Sequence, residues 1–142
     1  MPHGYRIQRL QHYGMPFKDE EELAVAFRFY QYLGFTYVIK DAPRVKWLKL
    51  EDGSELHLFV DDNAPCPTES NMVHGNFLVD NIEMVETEWR HLCRSEGWKD
   101  PVTGKRYPMK KVAYKDMKLP GVRGRIHTFD PWNNHIEFWE LE

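Results

Sequence analysis

Four residues of this chain carry side chains that can hold a divalent transition metal and fall at matching points of two similar stretches: His12, His57, His74 and Glu137. Imidazole nitrogens and a carboxylate oxygen are ligand types such ions take. Glu137 poses the sharpest question. It stands between Ile136 and Phe138 in the terminal stretch DPWNNHIEFWELE, which reads as a buried strand, and a charge there needs a partner or a metal. Near it in sequence lie Arg125 and His127, in GRIHTF. Arg125 suits a bidentate hold on a substrate carboxylate or phosphate, and His127 suits proton transfer. Trp47 and Trp139 suit the wall of a pocket. Each residue also has a plainer reading: a hydrogen-bonded strand histidine, a surface salt bridge, a core indole, or a glutamate on the wet face of a sheet.

The elements that must position these residues come in two copies. HYGMPFKDEEELAVAFRFYQYLGF, from His12, and HGNFLVDNIEMVETEWRHLCRSEGW, from His74, each open with a histidine in a short strand-like run. Each continues with a possible capping box, Asp19 with Glu22 and Asp80 with Glu83. An amphipathic helix follows, with Leu23, Phe27, Tyr30 and Leu33 on one face of the first and Ile82, Val85, Trp89 and Leu92 on one face of the second. Gly34 and Gly97 read as helix stops. After the first helix come TYVIK, VKWLKL and SELHLFV; after the second come a strand near Lys110–Tyr114, then GRIHTF and HIEFWEL. Both halves therefore read βαβββ, and such self-similarity indicates two copies of one supersecondary unit. The extra length of the second half falls in Trp98–Pro120, rich in Lys, Pro and Gly, and reads as an extended hairpin or loop.

Strand parity places the candidates. Leu56, Leu58 and Val60 form the apolar face of SELHLFV, and Glu55, His57 and Phe59 point the other way. Phe77 packs while His74 and Asn76 face away; Ile136 and Phe138 pack while His135, Glu137 and Trp139 face away. His12 shares a face with Leu10 and Gly14. Arg125, His127 and Phe129 share a face expected to look into a cleft. Each of four strands thus offers one metal ligand on the face opposite its helix. Glu55 is a second candidate base. His3 reads as terminal, His91 as a surface residue of the second helix, and His135 as a structural residue at a turn.

Length and composition bound the reading. The chain has 142 residues, enough for one domain with a buried core. A net charge of −3 lacks the basic footprint of a nucleic-acid binder. No apolar run has membrane length and no signal-peptide pattern opens the chain, so neither nucleic acid nor membrane is an expected partner. Cys66 and Cys93 make no disulfide framework, and a cytoplasmic location is expected.

The pattern LQHYGMPF with AFRFYQYLGF, then DGSELHLF, VHGNFLVDNIE and DPWNNHIEFWE, resembles the vicinal oxygen chelate superfamily, which includes glyoxalase I, bleomycin-resistance proteins, fosfomycin-resistance enzymes and extradiol dioxygenases. The resemblance spans nearly the whole chain. It implies an α+β fold in which two βαβββ modules, about residues 5–62 and 71–142 of a single domain, form an open, cupped mixed sheet with helices outside. It implies one divalent metal ion (Zn, Ni, Mn or Fe) held by His12, His57, His74 and Glu137; the residues themselves then read as Glu137 and His127 for catalysis and Arg125, Trp47 and Trp139 for substrate contact. It implies a small-molecule substrate or ligand and a homodimer. His57 stands where glyoxalase I carries a glutamate, and His127 where fosfomycin-resistance enzymes typically carry a tyrosine. The expected activity is that of a glyoxalase-like, metal-dependent lyase, isomerase or dioxygenase on an oxygen-rich small molecule. The alternatives are a non-catalytic sequestration protein of the bleomycin-resistance type and a metal-stabilised fold without turnover.

Overall fold

Each helix begins where a side chain replaces the missing acceptor for the first-turn amides. The computed structural model describes residues 12–62, 75–109, 113–114 and 119–142, with only the backbone of His12, Ala113 and Tyr114. At α1 (Glu20–Tyr32), Asp19 is the cap and accepts from the Glu22 amide at 2.8 Å. Glu22 reaches back to the amide of Lys18 rather than that of Asp19. At α2 (Ile82–Arg94) the cap is Asn81, not the expected Asp80; its Oδ1 accepts from the Met84 amide at 3.1 Å.

The helix faces follow the expected period with one correction. In α2, Ile82, Trp89 and Leu92 are buried as expected and Val85 is half-buried. In α1, Leu23 and Tyr30 are buried, but Phe27 and Leu33 are only half-buried, and Val25, Ala26 and Phe29 are buried instead. The buried face is wider than a single stripe, because the helix lies across three strands, His12–Phe17, Val45–Lys49 and Glu55–Val60. Gly34 closes α1 with φ +110°. Gly97 closes α2 one residue past the left-handed Glu96 (φ 64°): its amide donates to the Leu92 carbonyl at 2.8 Å.

The strands repeat one topology. In the first unit, Met1–Ala64, β1 (His12–Phe17), β2 (Thr36–Ile39), β3 (Val45–Lys49) and β4 (Glu55–Val60) form a sheet in the order β1-β4-β3-β2. In the second, Pro65–Glu142, β5 (Gly75–Leu78), β8 (Ala113–Tyr114), β9 (Val122–Phe129) and β10 (His135–Leu141) form a sheet in the order β5-β10-β9-β8. β1 runs parallel to β4, and β5 parallel to β10; the remaining pairs are antiparallel. The fold is α+β, with two βαβββ modules built on mixed sheets. The expected insertion in the second module contains a short hairpin, β6 (Trp98–Lys99) with β7 (Arg106–Tyr107). Gly97 serves that hairpin: a Cβ there would sit 2.0 Å from the carbonyl oxygen of Tyr107.

Each module has its own core on the helix side. Met15, Phe17, Leu48, Leu56 and Leu58 lie under α1; Ile126, Ile136 and Phe138 lie under α2, with the Trp89 ring 5.3 Å from that of Phe138. Full burial of such a side chain contributes about 1.5–3 kcal/mol, so these alternate residues hold the strand registers, and a slip of one residue would turn every site residue to the wrong face. No helix among the described residues is long and apolar enough to cross a membrane.

Candidate functional site

The second module carries the denser constellation. The β9–β10 register sets Glu137 opposite His127, Trp139 opposite Arg125 and His135 opposite Phe129. Their even-numbered neighbours Ile126, Thr128, Ile136 and Phe138 are buried, so parity turns the odd-numbered set to the other face. The turn between the strands fixes this register. Asp130 accepts from the amides of Trp132 and Asn134 and from the side-chain amide of Asn134, and Asn133 takes φ 67°. Asparagine tolerates that conformation better than most residues.

Glu137 is 4 % exposed. Its Oε1 lies 2.5 Å from Nε2 of His127, a close contact that lacks the angles of a hydrogen bond. On the other side of the His127 ring, Nδ1 lies 3.2 Å from Nε2 of His135. The His135 ring stacks on Phe129, with centroids 5.2 Å apart. The buried carboxylate is thus met by an imidazole, and that imidazole by a second. His135, expected to be structural, is the third member of this chain. The signal was present in the sequence: antiparallel strands joined across Asp130–Asn134 bring His127 and Glu137 opposite each other.

The same face holds Arg125, 8 % exposed, with its guanidinium carbon 5.7 Å from the ring centre of Trp139. Both expected substrate contacts of this module therefore lie together on the Glu137 face. Arg123, two residues earlier but at the register shift beside Glu140, turns to the helix side: it pairs with Glu140 at 2.9 Å and approaches Glu83 of α2 at 3.6 Å.

The first module shows a parallel arrangement. His57 lies opposite Trp47, and their rings stack 4.0 Å apart within 2° of parallel. His57 Nε2 lies 2.8 Å from Oε1 of Glu55, both side chains being less than one-fifth exposed. Glu55, a candidate base in the sequence, is placed to orient the His57 ring. Gly14 faces the same way, and a Cβ there would lie 3.1 Å from the Phe59 ring. Its smoothness lets that ring lie over β1. His12 sits on β1 opposite Glu55 in register.

Among the described residues no three His, Cys, Asp or Glu side chains form a group able to hold a metal. His74, and the side chain of His12, lie outside the described residues, as do Cys66 and most of the basic segment after Met109. His91 is exposed on α2, as expected.

No protein-family model and no curated protein sequence matches the chain. Solved structures do. A glyoxalase-family protein from Bacillus anthracis aligns over 97 % of this chain and 98 % of its own, with a TM-score of 0.69 and 20 % identity. The chain has the vicinal oxygen chelate fold. A lactoylglutathione lyase from Agrobacterium tumefaciens aligns over 95 % of both chains (TM-score 0.60, 18 % identity). The bleomycin resistance determinant encoded on transposon Tn5 aligns over 95 % of this chain and 99 % of its own (TM-score 0.57, 20 % identity). Enzymes and a resistance protein thus share the vicinal oxygen chelate fold with this chain, and fold alone does not choose between them.

Proposed function

We propose that the chain is a glyoxalase-like, divalent-metal-dependent enzyme acting on a small, oxygen-rich substrate by lyase, isomerase or dioxygenase chemistry. The observation that carries this reading is Glu137, a carboxylate only 4 % exposed that faces an imidazole across the strand pair. The proposed ligands are His12, His57, His74 and Glu137, with Zn, Ni, Mn or Fe as the ion. Glu137 and His57 suit that role by donor chemistry and by burial, and Glu55 holds the His57 ring through Nε2. When bound, a divalent cation supplies Lewis acidity toward a carbonyl or a pair of vicinal oxygens. His127 Nε2 stands beside Oε1 of Glu137, and His135 Nε2 stands behind its Nδ1, an arrangement in which imidazoles can pass a proton to or from a bound ligand. Trp47 and Trp139 supply aromatic surface for substrate.

A second reading, sequestration of a planar compound as in bleomycin resistance, draws on the Trp47–His57 stack. An aromatic platform of that kind binds flat ligands without turnover.

Metal content by plasma mass spectrometry separates the two. Wild type is expected to carry near-stoichiometric metal, and His74→Ala and Glu137→Ala to lose it while keeping the wild-type circular dichroism spectrum. Metal-free wild type, even after incubation with Zn, Mn, Ni, Co or anaerobic Fe(II), refutes the enzyme reading and leaves sequestration.

A further inference from the structure

Two neighbouring donors on the Glu137 face lack acceptors among the described residues. The Nε–H of Arg125 and the indole N–H of Trp139 are both buried, and neither has a hydrogen-bond partner among the described residues. The two residues lie directly opposite each other across β9 and β10. Buried donors without acceptors are uncommon in folded proteins, since each loses water and gains nothing. The guanidinium is the more demanding of the two, because it stays charged at every accessible pH and presents five N–H donors. Its contact with the Trp139 ring attracts the charge but gives those donors no acceptor.

The carboxylates of β10 are committed elsewhere. Glu137 meets His127 at 2.5 Å, and Glu140, on the opposite face, meets Arg123 at 2.9 Å. Arg123 shows the ordinary arrangement on the same strand: its side chain is 59 % exposed and paired with acid. Arg125 is 8 % exposed, with two imidazoles and one carboxylate as the other polar residues of its face on these two strands. An anion would supply the acceptors that the Arg125 Nε–H and the Trp139 N–H lack among the described residues.

We propose that Arg125 and Trp139 form an oxyanion subsite that receives a carboxylate or phosphoryl group of the ligand. This rests on the reading that the Glu137 face is the ligand site, but not on a metal being bound. The indole N–H and the guanidinium fork together suit two oxygens of one planar or tetrahedral oxyanion. The ligand is thus a small anionic molecule, and the aromatic plane of Trp139 packs beside its charged group.

The test uses thermal unfolding with inorganic phosphate and with malonate as probes, on protein as purified and again after chelator treatment. Wild type is expected to melt several degrees higher in either anion, in both preparations. Arg125→Met is expected to lose at least nine-tenths of that shift, and Trp139→Phe, which keeps the ring and drops the N–H, to lose a smaller part of it. Arg123→Gln, on the other face, is expected to keep the shift. A second readout separates recognition from structure. Without anion, Arg125→Met is expected to melt at or above the wild-type temperature, since it removes a buried charge lacking an acid partner; a structural arginine would give a lower melting point. An equal anion shift in wild type and Arg125→Met overturns the proposal, as does a wild type that responds to neither anion. A response to one probe alone assigns the subsite to that group. Metal content of Arg125→Met is expected to match wild type, so failure of the metal reading is seen separately.

Discussion

Asp130→Ala tests the device that holds β9 against β10. The carboxylate is 1 % exposed and accepts three hydrogen bonds, from the amides of Trp132 at 3.0 Å and Asn134 at 2.8 Å and from the Asn134 side chain at 2.9 Å. Asn134 is itself buried, so water replaces little of what alanine removes. Hydrogen bonds to a charged group contribute about 1.5–3 kcal/mol each, but three on one carboxylate are not additive. Backbone bonds between Asp130 and Asn134 and between Asn133 and Asp130 survive the substitution, and a loss of about 3–4 kcal/mol is expected. Urea unfolding followed by tryptophan emission suits the measurement, because Trp89, Trp98, Trp132 and Trp139 all lie in the second unit. With a slope of roughly 2 kcal/mol per molar urea, the midpoint falls by roughly 1.5–2 M at unchanged slope. Asp130→Asn keeps an oxygen for the two backbone amides and is expected to lose about half as much. A midpoint shift for Asp130→Ala below about 0.3 M would refute the argument that this carboxylate fixes the turn.

Two further expectations concern local structure. Gly97→Ala places a methyl group 2.0 Å from the Tyr107 carbonyl oxygen at φ +102° and is expected to abolish soluble expression or cost more than about 3 kcal/mol. Gly34→Ala, at φ +110° with nothing within 4 Å, is expected to cost only about 1–2 kcal/mol by chemical denaturation. Asn81→Ala removes the α2 cap and is expected to cost about 1 kcal/mol by the same measurement; Asp80→Ala is expected to leave stability unchanged, and the reverse ranking would return the cap to Asp80.

Much of the fold was legible in the sequence because it repeats. Two amphipathic helices with acidic or amide caps, and strands alternating under them, define βαβββ twice, and both sheets show that order and the same parallel pairing of first and last strands. The misses are local. Asp80 and Asn81 are adjacent cap-forming residues, and only the backbone path chooses between them. Phe29 was missed on α1 because a helix lying across three strands buries a face broader than one stripe. Gly97 does stop its helix, but a carbonyl from a hairpin ten residues away also requires it to be glycine.

The candidate site divides in the same way. Residue type and parity alone determined that His57, Arg125, His127, Glu137 and Trp139 lie on faces opposite the helices, since alternation along a strand is a local property. The partners on those faces were decided by tertiary structure. That Glu137 meets His127, that His135 stands behind it, that Glu55 holds His57 and that Trp47 stacks on it all depend on cross-strand register and side-chain rotamer. So does the absence of an acceptor for Arg125 and Trp139 among the described residues. Register is set by turns and by packing between residues distant in the chain, and no local pattern encodes it.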